Sequence, residues 1–333
     1  MDFANAATLW ETRSLCLIKV GDGTLLGLGE ASPLPGVSYE SLEDVQNALK
    51  HVPKHFVLPS RLKEVFSLAK FHSKEIPSLR FALETAYIDF LSQKKKQSIP
   101  QLLGTSSKQS VQGSSLFDPS FTTEQNAANF KKNDVTCAKF KAPKDFASQF
   151  IAKLETFHRL APSVSIRLDA NQSWTQTVAQ SYCDALKDLP IEFIEEPCQN
   201  WDQAFGLDTA IPFACDESLY PHKETSRCAD DFLRSPKITV AVLKPMVLGG
   251  IEVTQRLIKR LKDHNVHPIL SHCLGGGVEF AMLKEFASTF ESSISHGIGR
   301  HKGINGFELL VDSKFDTNLS SSAIGLNLPP SLL

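Results

Sequence analysis

Lysines and carboxylates recur at the ends of apolar runs in the second half of this chain. Lys139-Phe140-Lys141 closes one run and Asp169 closes Ser165 to Asp169; Glu195-Glu196-Pro197 follows Ile191-Glu192-Phe193-Ile194, Asp216-Glu217 follows Phe213-Ala214-Cys215, and Lys244-Pro245 follows Val240-Ala241-Val242-Leu243. Extended residues alternate faces, so Lys139 and Lys141 share one side of their strand, as do Arg167, Asp169 and, if extension continues, Asn171. An inward-facing Asp calls for a cation. Asp169, Asp216 and one of the adjacent Glu195 and Glu196 form an all-oxygen donor set without Cys or His, which suits Mg²⁺ completed by water or substrate. Strand parity alone does not choose between Glu195 and Glu196. Asp and Asn at strand-to-helix junctions commonly serve as helix caps, but solvated loop charge does not predict five successive apolar strands ending in charge.

The elements that would hold these residues read as alternating strands and helices. Candidate strands are Ser110 to Ser114, Cys137 to Lys141, Ser165 to Asp169, Glu192 to Glu195, Phe213 to Asp216, Thr239 to Lys244, His267 to Ser271 and Ser292 to Gly297. Between them, stretches such as Asp145 to Leu160 and Gly250 to His264 have helical length and apolar spacing. Eight such units spell an α/β fold of the (β/α)8 barrel type, in which chemistry gathers at the carboxyl ends of the strands; an open doubly wound sheet is the rival. Upstream, Ser14 to Val20 and Thr24 to Leu28 flank Gly21-Asp22-Gly23, a hairpin signal rather than a dinucleotide loop. Helical stretches follow from Ser41 to about Leu49 and from Arg80 to about Gln93. The expected division is an α+β capping domain over 1–98 and a barrel over 99–311, with the stretch of about 312–333 returning to the cap.

Composition narrows the class. With 333 residues, 42% of them hydrophobic, and a net charge of -2, the chain has a real core and no global basic field for nucleic acid or an anionic membrane. The run Lys94-Lys95-Lys96 reads as a solvated helix end. The expected partner is a small-molecule carboxylate, with no nucleic acid and no membrane. Seven cysteines are scattered without a Cys-x-x-Cys pair, which fits buried thiols in a reducing, cytoplasmic setting. Neither a secretory leader nor an apolar run long enough to span a bilayer is encoded.

The motifs Lys-Phe-Lys, Arg-Leu-Asp-Ala-Asn, Ile-Glu-Glu-Pro, Asp-Glu-Ser and Leu-Lys-Pro, in this order, resemble the muconate-lactonising subgroup of the enolase superfamily. The cap segments Gly27 to Gly36 and Arg80-Phe-Ala-Leu-Glu-Thr-Ala-Tyr-Ile-Asp-Phe extend the resemblance over nearly the whole chain. Gly-Glu-Ala-Ser-Pro-Leu-Pro-Gly, Arg167 two before Asp169, and Glu-Glu-Pro-Cys are most similar to the o-succinylbenzoate synthase family. The resemblance implies a modified barrel, (β/α)7β, under an N-terminal α+β cap. It selects Asp169, Glu195 and Asp216 as Mg²⁺ ligands, with Mn²⁺ able to substitute, makes Lys141 the general acid/base, and places Lys244 as the cation opposite.

The implied chemistry is proton abstraction next to a carboxylate, whose enediolate product needs positive charge in a dry site. Lysine bases with Mg²⁺ are a pairing known for the superfamily as a whole rather than one these spacings establish. A free Lys titrates near ~10.4 and a working base near ~7 to 8, so Lys139, the metal and burial are expected to bring Lys141 down. The implied reaction is dehydration to o-succinylbenzoate in menaquinone biosynthesis. Racemisation of an N-acylamino acid uses the same residues, and a non-catalytic binding protein on the same barrel is the alternative of another class. Arg167, Asn171, Ser271 and the backbone N–H groups of Gly275 and Gly276 are the expected substrate contacts. Dipeptide epimerases of the superfamily carry Asp-x-Asp on the last strand to grip an ammonium; this chain has Ser295-His296-Gly297 there, with His296 expected as a hydrogen-bonded core histidine.

Overall fold

The computed structural model describes residues 3–4, 9–10, 13–105, 110–221, 230–299 and 326. The first part of the chain runs β1 (Phe3–Ala4), β2 (Leu9–Trp10), β3 (Cys16–Gly21), β4 (Leu26–Ala31), α1 (Leu42–Leu49), α2 (Leu62–Ser73), α3 (Pro77–Lys95) and α4 (Ile99–Leu102). The second runs β5 (Ser115–Leu116), α5 (Thr123–Lys132), β6 (Cys137–Lys141), α6 (Ser148–Leu160), β7 (Ser165–Asp169), α7 (Gln176–Leu186), β8 (Ile191–Glu195), α8 (Trp201–Phe205) and β9 (Phe213–Cys215). It continues with α9 (Asp230–Leu233), β10 (Ile238–Leu243), α10 (Pro245–Leu248), α11 (Ile251–Asp263), β11 (His267–Leu270) and α12 (Gly277–Ala287).

Strands β3 and β4 pair antiparallel around the expected turn. Asp22 Oδ1 accepts the N–H groups of Thr24 and Leu25, both at 3.0 Å, and Gly23 takes the left-handed φ of 90° that a side chain would resist. Strand β4 lies directly on α3. A Cβ at Gly27 or Gly29 would run into the carbonyls of Ala86 and Ala82, which is why this strand alternates glycine with leucine. Helix α1 begins where Ser41 and Asp44 form a capping box. Helix α2 is not among the helices expected from the sequence; its Val65 and Ala69 are buried, but charged residues break its apolar stripe.

Strands β5 to β11 form one parallel sheet in sequence order. Bridges from Gly113 to His296 and from Ser271 to Gly297 bring the eighth candidate strand between its two edges, curling the sheet into a barrel. The first barrel strand sits one step later than the expected Ser110 to Ser114, because Ser115 and Leu116 are the residues that find register with Ala138 and Lys139. Phe193, Ala214, Val240, Val242 and Ile269 pack together inside the barrel. The larger core runs without a break from cap residues such as Phe81 to barrel residues such as Phe140 and Leu243. Six cysteines are free thiols, five of them buried; Cys228 lies outside the described residues. Among the described residues, no helix is long and apolar enough to cross a membrane.

Two cap carboxylates plug barrel helices. Glu84 of α3 accepts the N–H groups of Ile251 and Glu252 at the start of α11, and Arg80 reaches both Glu84 (2.9 Å) and Glu252 (2.5 Å). Glu30 of β4 accepts the N–H of Gly276 at 2.5 Å and that of Glu279 at 3.2 Å at the start of α12. Unsatisfied N–H groups and the helix dipole make helix starts natural seats for carboxylates. Here the seats join cap to barrel.

Candidate active site

The inward-facing residues of β6, β7 and β8 stand in register: Lys139 opposite Arg167, Lys141 opposite Asp169, and Asp169 opposite Glu195. This pairing converts the sequence spacing into a site. Lys139 Nζ lies 2.7 Å from both Asp169 Oδ2 and Glu195 Oε2. Lys141 Nζ lies 2.6 Å from Asp169 Oδ2 and donates to Asn171 Oδ1 at 2.8 Å. Across the barrel, Lys244 Nζ meets Asp216 Oδ2 at 2.5 Å and the Tyr220 hydroxyl at 2.9 Å, while that hydroxyl donates to Asp216 Oδ1 at 2.7 Å. All three carboxylates are buried, whereas the Lys141 side chain keeps 41% of its exposure. Of the site's three lysines it is the most open.

Burial opposes the Lys139 ammonium, but Asp169 and Glu195 outweigh it and hold its pKa above the ordinary lysine value. Burial and then Asp169 push the Glu195 carboxyl up to about 7. Burial likewise works against the Lys244 charge, and Asp216 and Tyr220 overcome it. Lys139 is therefore already paired with two carboxylates, which the sequence expectation of an uncompensated neighbour for Lys141 left out.

Glu195 and Glu196 part company at the end of β8. Glu195 lines the cavity. Glu196, at a left-handed φ of 46°, turns away to accept from the N–H groups of Asp216 (2.7 Å) and Ser218 (2.8 Å), the Ser218 hydroxyl and Gln172. It ties the end of β9 to β8.

Among the described residues, no three His, Cys, Asp or Glu side chains are drawn into a ready metal-binding group; Lys139 bridges Asp169 and Glu195, and Lys244 holds Asp216. The donor set nonetheless fits a hard divalent cation. Glu195 Oε1 is buried without a hydrogen-bond partner, and a buried carboxylate oxygen left unpaired is costly unless something else binds it.

The cavity above these residues holds about 290 Å³. Its polar wall includes Lys139, Lys141, Asn171, Glu217, Lys244 and Ser271, and the cap loop contributes Leu34, Gly36 and Val37. Ser271, expected as a substrate contact, reaches the cavity, although its hydroxyl donates to the Gly297 carbonyl at 3.1 Å. Asn171 also reaches it, between Lys141 and Glu217 (3.0 Å). Arg167 lies at the floor, its Nε donating to Glu192 at 2.6 Å and its guanidinium over the Phe193 ring, with Nη2 unpartnered. The expectation for Gly275 and Gly276 is corrected. Their N–H groups are spent on Glu279 and Glu30, and neither residue borders the cavity.

His296 is the expected core histidine: it is buried, accepts the Leu270 N–H at 3.0 Å on Nδ1, and burial lowers its pKa to about 4. Tyr220, Gln172, His272 and the cap loop are site residues that sequence reasoning did not assign. Tyr220 had one signal, its position four after Asp216 in the same turn.

Residues 122–309 match the enolase C-terminal domain-like family. The chain belongs to that family. As an enolase-superfamily member it is 26% identical over 285 residues to an o-succinylbenzoate synthase of Yersinia pestis (strain Pestoides F), covering 84% of this chain and 79% of the relative. Among solved structures, a dipeptide epimerase from Methylococcus capsulatus, complexed with Mg and the dipeptide L-Arg-D-Lys, superimposes with a TM-score of 0.75 at 22% identity, covering 91% of this chain and 86% of that one. The muconate lactonizing enzyme of Pseudomonas putida does so with a TM-score of 0.71 at 20% identity, over 84% and 82%. These likenesses establish the enolase-superfamily barrel with its N-terminal cap.

Proposed function

We propose that this enolase-superfamily enzyme is a lyase, dehydrating 2-succinyl-6-hydroxy-2,4-cyclohexadiene-1-carboxylate to o-succinylbenzoate in menaquinone biosynthesis, in the cytoplasm. The supporting observation is the pair of lysines on opposite sides of the carboxylates, Lys141 toward Asp169 and Lys244 toward Asp216. The reading includes the division into a cap over 1–98 and a barrel over 99–311; the stretch of about 312–333, expected to return to the cap, lies outside the described residues apart from Leu326.

Asp169, Glu195 and Asp216 would hold Mg²⁺ or Mn²⁺. When bound, the ion supplies charge stabilisation at the substrate carboxylate. Lys141, the open lysine, takes the α-proton and returns it to the departing hydroxyl on the same face. Lys244 stays charged over the other face, and Lys139 holds Asp169 and Glu195 in place. With Lys141 neutral as the working base, Lys139, Lys244 and a divalent cation balance the four carboxylates Asp169, Glu195, Asp216 and Glu217, so the loaded cavity does not repel an anion. At the eighth strand, Gly297 and Gly299 border the cavity. Among the described residues, no acid stands there to grip an ammonium, which argues against the reaction of the dipeptide epimerase relative.

An N-succinylamino acid racemase is the second reading, because a lysine stands on each side of the carboxylates. The test is paired: kcat/KM for the dehydration and for racemisation of an N-succinyl amino acid, each with Mg²⁺ or Mn²⁺. Dehydration above about 10⁴ M⁻¹s⁻¹ is expected. A slower dehydration with faster racemisation reverses the assignment, and inactivity in both without metal binding would restore the binding-protein alternative.

A further inference from the structure

A second group of buried acids lies outside the candidate active site, where β4 of the cap meets the start of α12. Glu30 and Glu279 are both essentially inaccessible. Glu30 accepts from Gly276 N–H, Glu279 N–H and the Ser32 hydroxyl, and Glu279 accepts from the N–H groups of Cys273 and Gly275, each at 2.9 Å. The two carboxyl groups crowd one spot. A Cβ at Gly275 would strike Glu279 Oε2, Glu30 Oε1 and the Ser32 hydroxyl together. Arg13, the nearest side-chain cation, is spent on the carbonyls of Ser32 (2.8 Å), Pro33 (3.0 Å), Cys273 and Leu274.

These residues connect the two walls of the cavity. Ser32 leads into the cap loop carrying Leu34, Gly36 and Val37, and Cys273 follows Ser271 and His272. The helix start and Arg13 can balance one negative charge on the pair. Two like charges this close and this buried cannot both be balanced.

We propose that Glu30 is a positioning residue that holds the cap loop on the barrel mouth through a Glu30–Glu279 pair carrying a single proton, so that loss of that proton loosens the cap. The facing titratable groups are Arg13 from the cap and Cys273 from the barrel loop. Burial and then the proximity of Glu30 push the Glu279 carboxyl up to about 8, and burial raises Glu30. Both shifts run above the ordinary carboxylate value. The closed junction is therefore strongest at low pH and weakens as pH rises through about 8. This inference goes beyond the dehydration reading and concerns access to the site.

Amide hydrogen exchange on the full chain tests it without any substrate, so its outcome is separate from that of the reaction assignment. Protection in segments 32–40 and 272–280, corrected for intrinsic exchange, should fall by up to about tenfold per pH unit above pH 8, the slope of one proton, while α7 keeps its protection. Glu279→Gln should remove the slope, because an amide has no proton to lose in this range, and Glu30→Gln should do the same. Glu30→Ala should lower protection at every pH. If the glutamine variant at 30 fails to fold, that at 279 decides. A flat wild-type profile, an unchanged slope in Glu279→Gln, or parallel loss in α7 overturns the latch.

Discussion

The barrel mouth and the cap–barrel junction both bury several carboxylates, yet they neutralise them by different means. At the mouth, Asp169, Glu195 and Asp216 face lysine ammonium groups. At the junction, Glu84 and Glu30 both face backbone N–H groups at helix starts, Glu84 with Arg80 beside it. A lysine head on a flexible stem can swing aside for a metal or take part in proton transfer, whereas a backbone N–H moves only with its helix. The first arrangement is suited to chemistry and leaves an oxygen, Glu195 Oε1, unspent. The second spends its oxygens on holding two bodies together.

If that contrast is real, lesions at the mouth should cost activity and lesions at the junction should cost stability. The largest effect is expected for Lys141→Ala. Steady-state assay of whichever reaction the enzyme runs should show a kcat loss of at least ~10² to 10⁴, with the thermal midpoint unchanged because Lys141 is the exposed member of the cluster. Comparable activity in this variant would remove it from the general acid/base role. Next, chelation should abolish turnover and Mn²⁺ should restore it. Glu195→Gln should lose metal binding by calorimetry while the chelated protein melts no earlier than wild type; early melting would mean that this carboxylate is structural.

At the junction, Glu84→Ala strands two N–H groups and leaves Arg80 with Glu252 alone, and urea denaturation should show a loss of about 1–3 kcal/mol. The smallest effect is the pH dependence of the same site. Burial pushes Glu84 up to about 7, so its protonated form contributes stability that is full below the unfolded value of ~4.3 and is lost as pH rises through about 7. Stability should therefore fall between pH 5 and pH 8 by more in wild type than in Glu84→Gln, on the order of 1 kcal/mol. Equal slopes would place the raised Glu84 in doubt.

Legibility in the sequence followed the range of the interactions. Strands β6 and β7 could be read to the residue because alternation within five residues is local, and the charged ends of β6 to β10 follow from the same pattern. The choice between Glu195 and Glu196 needed more, since it depends on a left-handed turn at Glu196 that faces Ser218 and Gln172. Gly275 and Gly276 were misread as substrate-facing amides because the partner of Gly276 is a glutamate 246 positions upstream. Helix α2 was missed for the opposite reason: its local stripe is weak and packing against α3 supplies what the spacing lacks.

Asp89 on α3 holds the N–H of Leu28 with one oxygen and the N–H of Leu326 with the other. The second bond spans 237 positions. On the ribosome, the cap strands emerge first, but this carboxylate waits for its last donor until the whole barrel sequence has been made. Order of synthesis and order of completion thus run in opposite directions: Leu28 and Gln93 donate to this buried acid early, and its remaining donor comes from late-made chain.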